Sequence, residues 1–490
     1  MTRLVRVAVI VLALVAFALH AWQALAGAYL SYVSGIWLAL GRDLSAGLFY
    51  RDLSSDVGYG GTRYFPLFFS LIGLFMRAGL APLAAGWVAS ACAALILATG
   101  LFRVARGLKL SRDVAILLGV GGLAPYFVQQ TLFEVRADVL AAGLDLWGLS
   151  YMVPLWNQDE PGTGARPGLA ALAFTLAFAT KVTSLAVPLS LLVGASLAGH
   201  RLEARLLAMW LIAGVLLFFV GVEVLSEGRA VTSWRACMFA GSGAGGTVST
   251  LMAGEFLALA GYSHFLAVLL VLVVAALAAA AYVKRSDKSL LGPTSLFVGV
   301  FTATAVTLSS PGTVPSNQVV EWIEISFVVL ASVAASRSGL RSPVTIAVAG
   351  LILWASVQDV VRVRALWELS GTRTSVATRR AIVDMVAHAR GPVLAESALW
   401  PVLAGRQAFL LDPFALRVVF ESRPDIYQDL TARVDAHAFP MVIFQVDPTT
   451  LRGRGYYEHV NFGWPVTERI LANYRLSSHP ASDVYVYVPR

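Results

Sequence analysis

The feature that most constrains this chain is a series of apolar runs, each close to the length that crosses a bilayer, separated by short basic segments. Val7 to Ala26 and Pro82 to Phe102 are the clearest, since roughly 20 apolar residues span a hydrocarbon core about 30 Å thick. Of 490 residues, 58% are hydrophobic and only 13% charged, and the mean hydropathy is +0.72, far from the usual composition of a soluble globular chain. Backbone polar groups in lipid have to be satisfied within the segment, so the expected class is a polytopic all-α membrane protein. The net charge of +8 does not point to nucleic acid, because Lys and Arg cluster between the apolar runs as topogenic signals do. The two cysteines, Cys92 in an apolar run and Cys237 in a polar loop, are too few for a disulfide framework.

Charge decides the topology. Arg3 and Arg6 flank the first run and place the N-terminus in the cytoplasm; we read this run as an uncleaved signal-anchor, although Ala24 to Ala26 also fits a cleavage site. Tyr64 to Met76 is short and closed by Arg77, so it is expected to lie at the interface. Pro82 to Phe102 is then the second span, and Arg103, Arg106, Lys109 and Arg112 fall in the cytoplasm. Further spans are expected at Val114–Phe127, Val139–Leu155, Gly168–Thr180, Val182–Ala198, Leu206–Leu225, Phe256–Tyr282, Thr294–Leu308, Val319–Ala335 and Val344–Val360, about eleven in all. The weakest point is Lys181, where two short segments meet. An odd count puts the C-terminus outside. Residues 1–361 form the transmembrane domain, including a first external loop over 28–81, and residues 362–490 read as a small extracytoplasmic α/β domain of alternating helices and short apolar strands. No phosphate-cradling glycine loop occurs there.

Charges beside a bilayer are costly unless they meet water, a partner or a substrate. The first external loop, Ser34 to Phe69, concentrates them: Asp43, Asp52, Asp56, Arg42, Arg51 and Arg63 among aromatics and glycines. The second external loop holds Arg136 and Asp138 in Phe133–Asp138, and the third turn holds Lys181. Glu321 and Glu324 stand at the outer end of a later span, with Asn317 one helical turn before Glu321. For each, a local ion pair or an interhelical hydrogen bond is the plain structural alternative. Ser226 to Thr250, with Arg229, Trp234 and Arg235, reads as a flexible glycine-rich loop, with closure over a substrate as the alternative.

One span, a long external loop, the aromatic segment Thr62–Phe69, a basic cytoplasmic turn, the external Arg136-x-Asp138 and the Thr-Lys turn at Lys181 together resemble the GT-C superfamily. So does the soluble C-terminal domain with Leu394 to Phe414. These are integral-membrane glycosyltransferases using polyprenyl-phosphate sugars, such as protein O-mannosyltransferases and the aminoarabinose transferases of lipid A. The resemblance implies a GT-C-like fold in a bacterial inner membrane, and transfer of a sugar from a polyprenyl-phosphate donor to a lipid, glycan or protein acceptor at the outer face. Arg63, Arg136 and Lys181 would hold the donor phosphate, while Tyr64, Phe65 and Glu321 would border the substrate groove, with Phe68 and Phe69 beside the lipid. Family members carry an aspartate early in the first external loop, about two helical turns before Arg42; here Val33 and Ser34 stand there. The base is therefore expected at Asp52 or Asp56, ahead of Asp43, whose interfacial helix suggests a solvated face, with Asp138 as a second carboxylate. No cofactor beyond the lipid-linked donor is implied; a divalent metal at Asp138 stays open, but no His/Asp spacing argues for one. The alternatives are a catalytically inactive protein of this fold that binds a lipid phosphate or a partner, and a transporter, against which stands the lack of an internal repeat.

Overall fold

The computed structural model describes residues 3–25, 29–156, 164–238, 264–283, 290–308, 315–336, 341–369, 376–450, 461–481 and 484–490. The membrane part contains α1 (Arg3–Leu25), α2 (Tyr32–Ser45), the short strands β1 (Ser54–Ser55) and β2 (Gly58–Tyr59), α3 (Pro66–Arg77), α4 (Pro82–Gly107), α5 (Arg112–Gly121), α6 (Tyr126–Phe133) and α7 (Asp138–Met152). It continues through α8 (Pro167–Phe178), α9 (Ala186–Ala198), α10 (Arg201–Ser226), α11 (Arg229–Met238), α12 (His264–Val283), α13 (Leu291–Leu308), α14 (Val320–Ala335) and α15 (Arg341–Leu369). Proline opens α3, α4 and α8, where its missing N–H and fixed φ suit the first helical turn.

Among the described residues, six helices are long and apolar enough to cross a membrane, or seven if α5 and α6 form one bent span. The expected eleven are therefore not all full-length. The run read as Val114–Phe127 is cut after Gly121 and bends by 60° into α6, with Gly122 and Pro125 at the break. The two segments meeting at Lys181 are short helices, α8 and α9, the latter preceded by a 3₁₀ turn (Val182–Leu185). Lys181 itself is extended, and the carbonyl freed at Ala179 accepts the backbone N–H of Leu67, so the first turn of α3 satisfies the interruption. Helix α12 starts at His264; the expected span start at Phe256 lies outside the described residues. Helix α15 continues through residue 362 to Leu369.

The bundle core uses small residues for close approach. A Cβ on Gly143 would lie 2.8 Å from the Leu97 backbone nitrogen, and one on Gly100 would lie 3.1 Å from the Gly143 carbonyl, so α4 and α7 touch backbone to backbone.

The C-terminal part comprises α16 (Val376–Ala387), β3 (Val393–Ala395), α17 (Leu399–Leu403), α18 (Pro413–Ser422), α19 (Pro424–Asp435), β4 (Met441–Phe444), α20 (Trp464–Asn473), β5 (Tyr474–Ala481) and β6 (Val484–Pro489). Its sheet runs β3-β4-β6-β5, with β3 and β4 parallel and the other pairs antiparallel. Both faces are covered: Val393, Ala395, Met441 and Ile443 pack with Ile382 and Val386 of α16, while Leu394, Val442 and Phe444 pack with Leu430 and Ile470. This explains why β3 and β4 read as continuous apolar runs.

The segment between α2 and α3 docks on this domain. Tyr59 N donates to Phe409 O (2.8 Å) and Leu411 N donates to Tyr59 O (3.0 Å), a parallel bridge that adds the β1–β2 hairpin to residues 409–411. Gly58, at φ +133°, lies against the Phe409 carbonyl where no side chain would fit. Helix α17 sits directly on α2, where a methyl on Gly35 would overlap the Leu399 backbone nitrogen. Arg51 donates to Ala408 O (2.5 Å) and Arg42 to Gly405 O.

Candidate functional site

Helix α11 fixes the segment that carries Arg63. Ser233 Oγ accepts from Thr62 N (2.7 Å) and donates to Thr62 O (2.8 Å), while Tyr50 Oη and Trp234 Nε1 both donate to Tyr64 O (2.8 and 3.3 Å). The expected loop at Ser226–Thr250 is thus helical through Met238, and its Trp234 is a structural clamp; residues 239–250 lie outside the described residues. With the backbone held on both sides, the Arg63 guanidinium stacks over Phe414 (4.6 Å to the ring centroid) and forms no ion pair among the described residues. Burial disfavours its charge, but the neighbouring Tyr64, Asp412 and Tyr32 outweigh this and raise its pKa.

Arg136 faces the same place from the turn between α6 and α7. It is 5% exposed, and its Nε lies 2.5 Å from Glu134 Oε2. Between the two stands Val135 at φ +56°, a left-handed conformation that ends α6 and that β-branched residues rarely adopt. The valine fits because its side chain packs against Gly86. Ser34 Oγ, at the start of α2, donates to the Glu134 carbonyl (2.6 Å) and so joins the first loop to the second. Tyr32 and Tyr64 lie in the fields of both guanidiniums: burial and Asp412 push both phenols up, against the pull of Arg63 and Arg136. The result is two cations around two phenols.

Lys181 stands in a second cluster, with Asp138 and Glu321. Its Nζ lies 2.9 Å from Asp138 Oδ1 and 3.7 Å from Glu321 Oε1; Asn317 Nδ2 donates to Asp138 Oδ1 (3.1 Å) and Ser184 Oγ to Glu321 Oε1 (3.0 Å). The break between α8 and α9 lets one lysine face the start of α7 and the start of α14 together. Asp145, two turns along α7, and Glu324, one turn along α14, are each 1% exposed, and their carboxylates accept no hydrogen bond among the described residues.

The C-terminal domain roofs the first cluster. Asp412 caps α18, its Oδ1 accepting from Phe414 N and Ala415 N (3.0 and 3.1 Å), and burial raises its pKa against the pull of Arg63. Glu396, at the end of β3, accepts from Gln445 N (2.7 Å) and from Asn461 Nδ2.

The structure therefore brings Arg63, Tyr64 and Arg136 together, and separately Asp138, Lys181 and Glu321. Asp52 and Asp56 are exposed on or beside the hairpin and share no hydrogen bond or ion pair with either cluster among the described residues. Asp43 is not on a solvated face: it is 5% exposed and bound through both oxygens by Arg51 (2.6 and 2.8 Å). Phe65 is buried against Trp234 and Phe178, and Phe68 and Phe69 are buried as well. Tyr32, Glu134 and Asp412 were not singled out from the sequence. Glu134 lay in a segment already marked by its charges, whereas Asp412 looks like an ordinary cap before proline.

This helical domain under a small α/β cap shares its fold with solved structures of GT-C transferases. The chain is similar to ArnT from Cupriavidus metallidurans bound to undecaprenyl phosphate, with 14% identity, 98% of this chain and 97% of that one covered, and a TM-score of 0.62. It is also similar to the Archaeoglobus fulgidus oligosaccharyltransferase in the apo form (12%, 99% and 74%, TM-score 0.56) and to the arabinofuranosyltransferase AftD from Mycobacteria (14%, 99% and 40%, TM-score 0.50). No protein-family model and no curated protein matched the sequence. The resemblance read from the loops and turns thus holds at the level of fold.

Proposed function

We propose that this protein is a GT-C-type glycosyltransferase that moves a sugar from a polyprenyl-phosphate donor to a lipid, glycan or protein acceptor at the outer face of a bacterial inner membrane. The observation that carries this reading is Arg63, a guanidinium without an ion-pair partner among the described residues, beside Arg136 and two phenols at the rim of the membrane domain. As the bond to the sugar breaks, negative charge grows on the departing phosphate, and preorganised guanidiniums stabilise it through charge-assisted hydrogen bonds. Tyr64 and Phe65 border the groove for the isoprenoid chain. Lys181 holds Asp138 and Glu321 and so adds no net positive field for the phosphate. The undecaprenyl phosphate in the ArnT structure supports a lipid phosphate as ligand of this fold.

The test is transfer by purified protein in proteoliposomes from a panel of radiolabelled polyprenyl-phosphate sugars. Arg63→Ala, and Arg136→Ala combined with Glu134→Gln so that no buried carboxylate is left unpaired, are each expected to lower transfer about 10²-fold or more; unchanged transfer in both would remove the reading. The second reading, a protein that binds a lipid phosphate without turnover, is favoured by one observation: the only carboxylate on α2, Asp43, is tied up by Arg51. Saturable donor binding without product from any donor would establish it.

A further inference from the structure

We propose that Asp412, at the head of α18 in the C-terminal domain, is the general base that activates the acceptor. The inference rests on the transferase reading above. The Asp412 carboxylate takes the proton of the acceptor hydroxyl as that oxygen bonds to the anomeric carbon. The bond from that carbon to the phosphate oxygen breaks, and its electron pair leaves with the polyprenyl phosphate held by Arg63 and Arg136. Atoms and charge balance without metal or redox partner.

Among the described residues, Asp412 is the carboxylate beside the arginines that keeps an oxygen nothing engages. It is 2% exposed, and Oδ1 is fixed by Phe414 N and Ala415 N at 3.0 and 3.1 Å, whereas the buried Oδ2 accepts no hydrogen bond and has no ion-pair partner. A buried acceptor without a donor is costly and calls for a partner, and a substrate hydroxyl is such a donor. The other carboxylates are occupied or elsewhere. Glu134 is used at both oxygens, by Gln130 at 2.9 Å and by Arg136 at 2.5 Å; Asp43 is bound by Arg51, and Glu396 by Gln445 and Asn461. Asp145 also lacks a donor, but it faces Lys181 and Glu321, and Glu324 packs at Gly122. The place of Asp412 is set from both sides by contacts between the domains. Leu411 N, one residue before it, donates to Tyr59 O (3.0 Å), and Phe414, two residues after it, carries the Arg63 guanidinium 4.6 Å from its ring centroid. Pro413 opens α18 and holds the turn between them. The carboxylate thus stands in reach of the fields of Arg63, Tyr64 and Tyr32, where the first turn of α2 offers Tyr32, Val33 and Ser34 and no acid. Burial raises its pKa against the pull of Arg63, which suits a base that works near neutral pH. The other groups that face it, Tyr32 of α2, Tyr64 and Cys237 of α11, are pushed up by burial as well, the thiol to about 12, so they stay neutral there.

The experiment uses the full chain in proteoliposomes with a radiolabelled polyprenyl-phosphate sugar that the wild type turns over. Asp412→Asn keeps a capping oxygen and loses the basic one. It is expected to lower kcat by about 10²–10⁴-fold, to bind polyprenyl phosphate as the wild type does, and to remove the acid limb of the pH profile of kcat/KM, which in the wild type lies above the ordinary 3.8. Asp412→Ser, which keeps a capping hydroxyl and leaves room for a small anion, is expected to regain transfer in proportion to added formate. Turnover of Asp412→Asn within about threefold of wild type, too small for a lost general base, would overturn the proposal. So would an acid limb that survives the substitution, because another group would then be taking the proton. Joint loss of polyprenyl-phosphate binding and turnover in both variants, with no formate rescue, would also overturn it, showing that Asp412 only positions Arg63. A wild type that binds polyprenyl phosphate but transfers sugar from no donor would remove the transferase reading itself, and this base with it.

Discussion

Asp43 and Arg51 are each 5% exposed and share two hydrogen bonds, so removing either one leaves a buried charge without its partner. Asp43→Ala is expected to cost about 3–5 kcal/mol, read as a fall in the thermal unfolding midpoint, and adding Arg51→Met should recover much of that loss. Asp412 tests a different balance. Burial raises its folded pKa above the ordinary 3.8, so its ionisation opposes folding. The stability it contributes is complete below 3.8 and lost as pH rises through the raised folded value. Asp412→Asn, which keeps a capping oxygen, should abolish that loss and unfold at the same temperature on both sides of the window; Asp412→Ala should lose about 1 kcal/mol more through the missing cap. Single residues were unevenly legible in the sequence. Arg63, Arg136 and Lys181 stand out because charge beside lipid is rare. Tyr32 does not, because an aromatic at the head of an apolar helix reads as core. Asp43 was misread because its partner is eight residues away across a turn, outside any helical spacing.

At the level of elements, interruptions matter more than spans. The break at Lys181 directs an ammonium toward Asp138 and Glu321, and the break between α5 and α6 leads into the loop with Glu134 and Arg136. Lys181→Met should leave two buried carboxylates uncompensated and destabilise the bundle by roughly 3–5 kcal/mol, whereas Lys181→Met with Asp138→Asn should be milder. Thermal unfolding in detergent checks both. Hydropathy located nearly every apolar helix, since period and length are written in the sequence. It missed the breaks, because a glycine or proline within an apolar run signals a possible bend but not whether a neighbouring helix will satisfy the freed backbone. In the α/β domain the strands at 393–395, 441–444 and 484–489 were visible as β-branched and apolar runs; β5, with a mostly exposed pattern, was not.

At the scale of the whole molecule, the site belongs to two domains at once. A ligand that binds only the folded protein stabilises it by RT ln(1 + [L]/Kd), about 2.7 kcal/mol at a hundred times Kd. Polyprenyl phosphate is therefore expected to raise the unfolding temperature of the wild type and to fail with the Arg63→Ala/Arg136→Ala double variant; an equal shift in both would place the lipid elsewhere. Gly35→Ala, by prising α17 from α2, should loosen the cap and lower transfer while the membrane helices stay folded, seen as faster protease cleavage of the C-terminal domain. The docking of the first loop also has a consequence in time. Arg51 meets its acceptor at Ala408 across 357 residues. At synthesis rates of about 5–20 residues per second, the loop emerges roughly 20–70 s before the partner it binds. Until then Tyr59 and its hairpin have an unfilled edge, and Arg63 lacks the Phe414 ring that it stacks on. A chain still being made thus holds Arg63 uncovered, and the two domains complete one another only when the last one closes over the first loop.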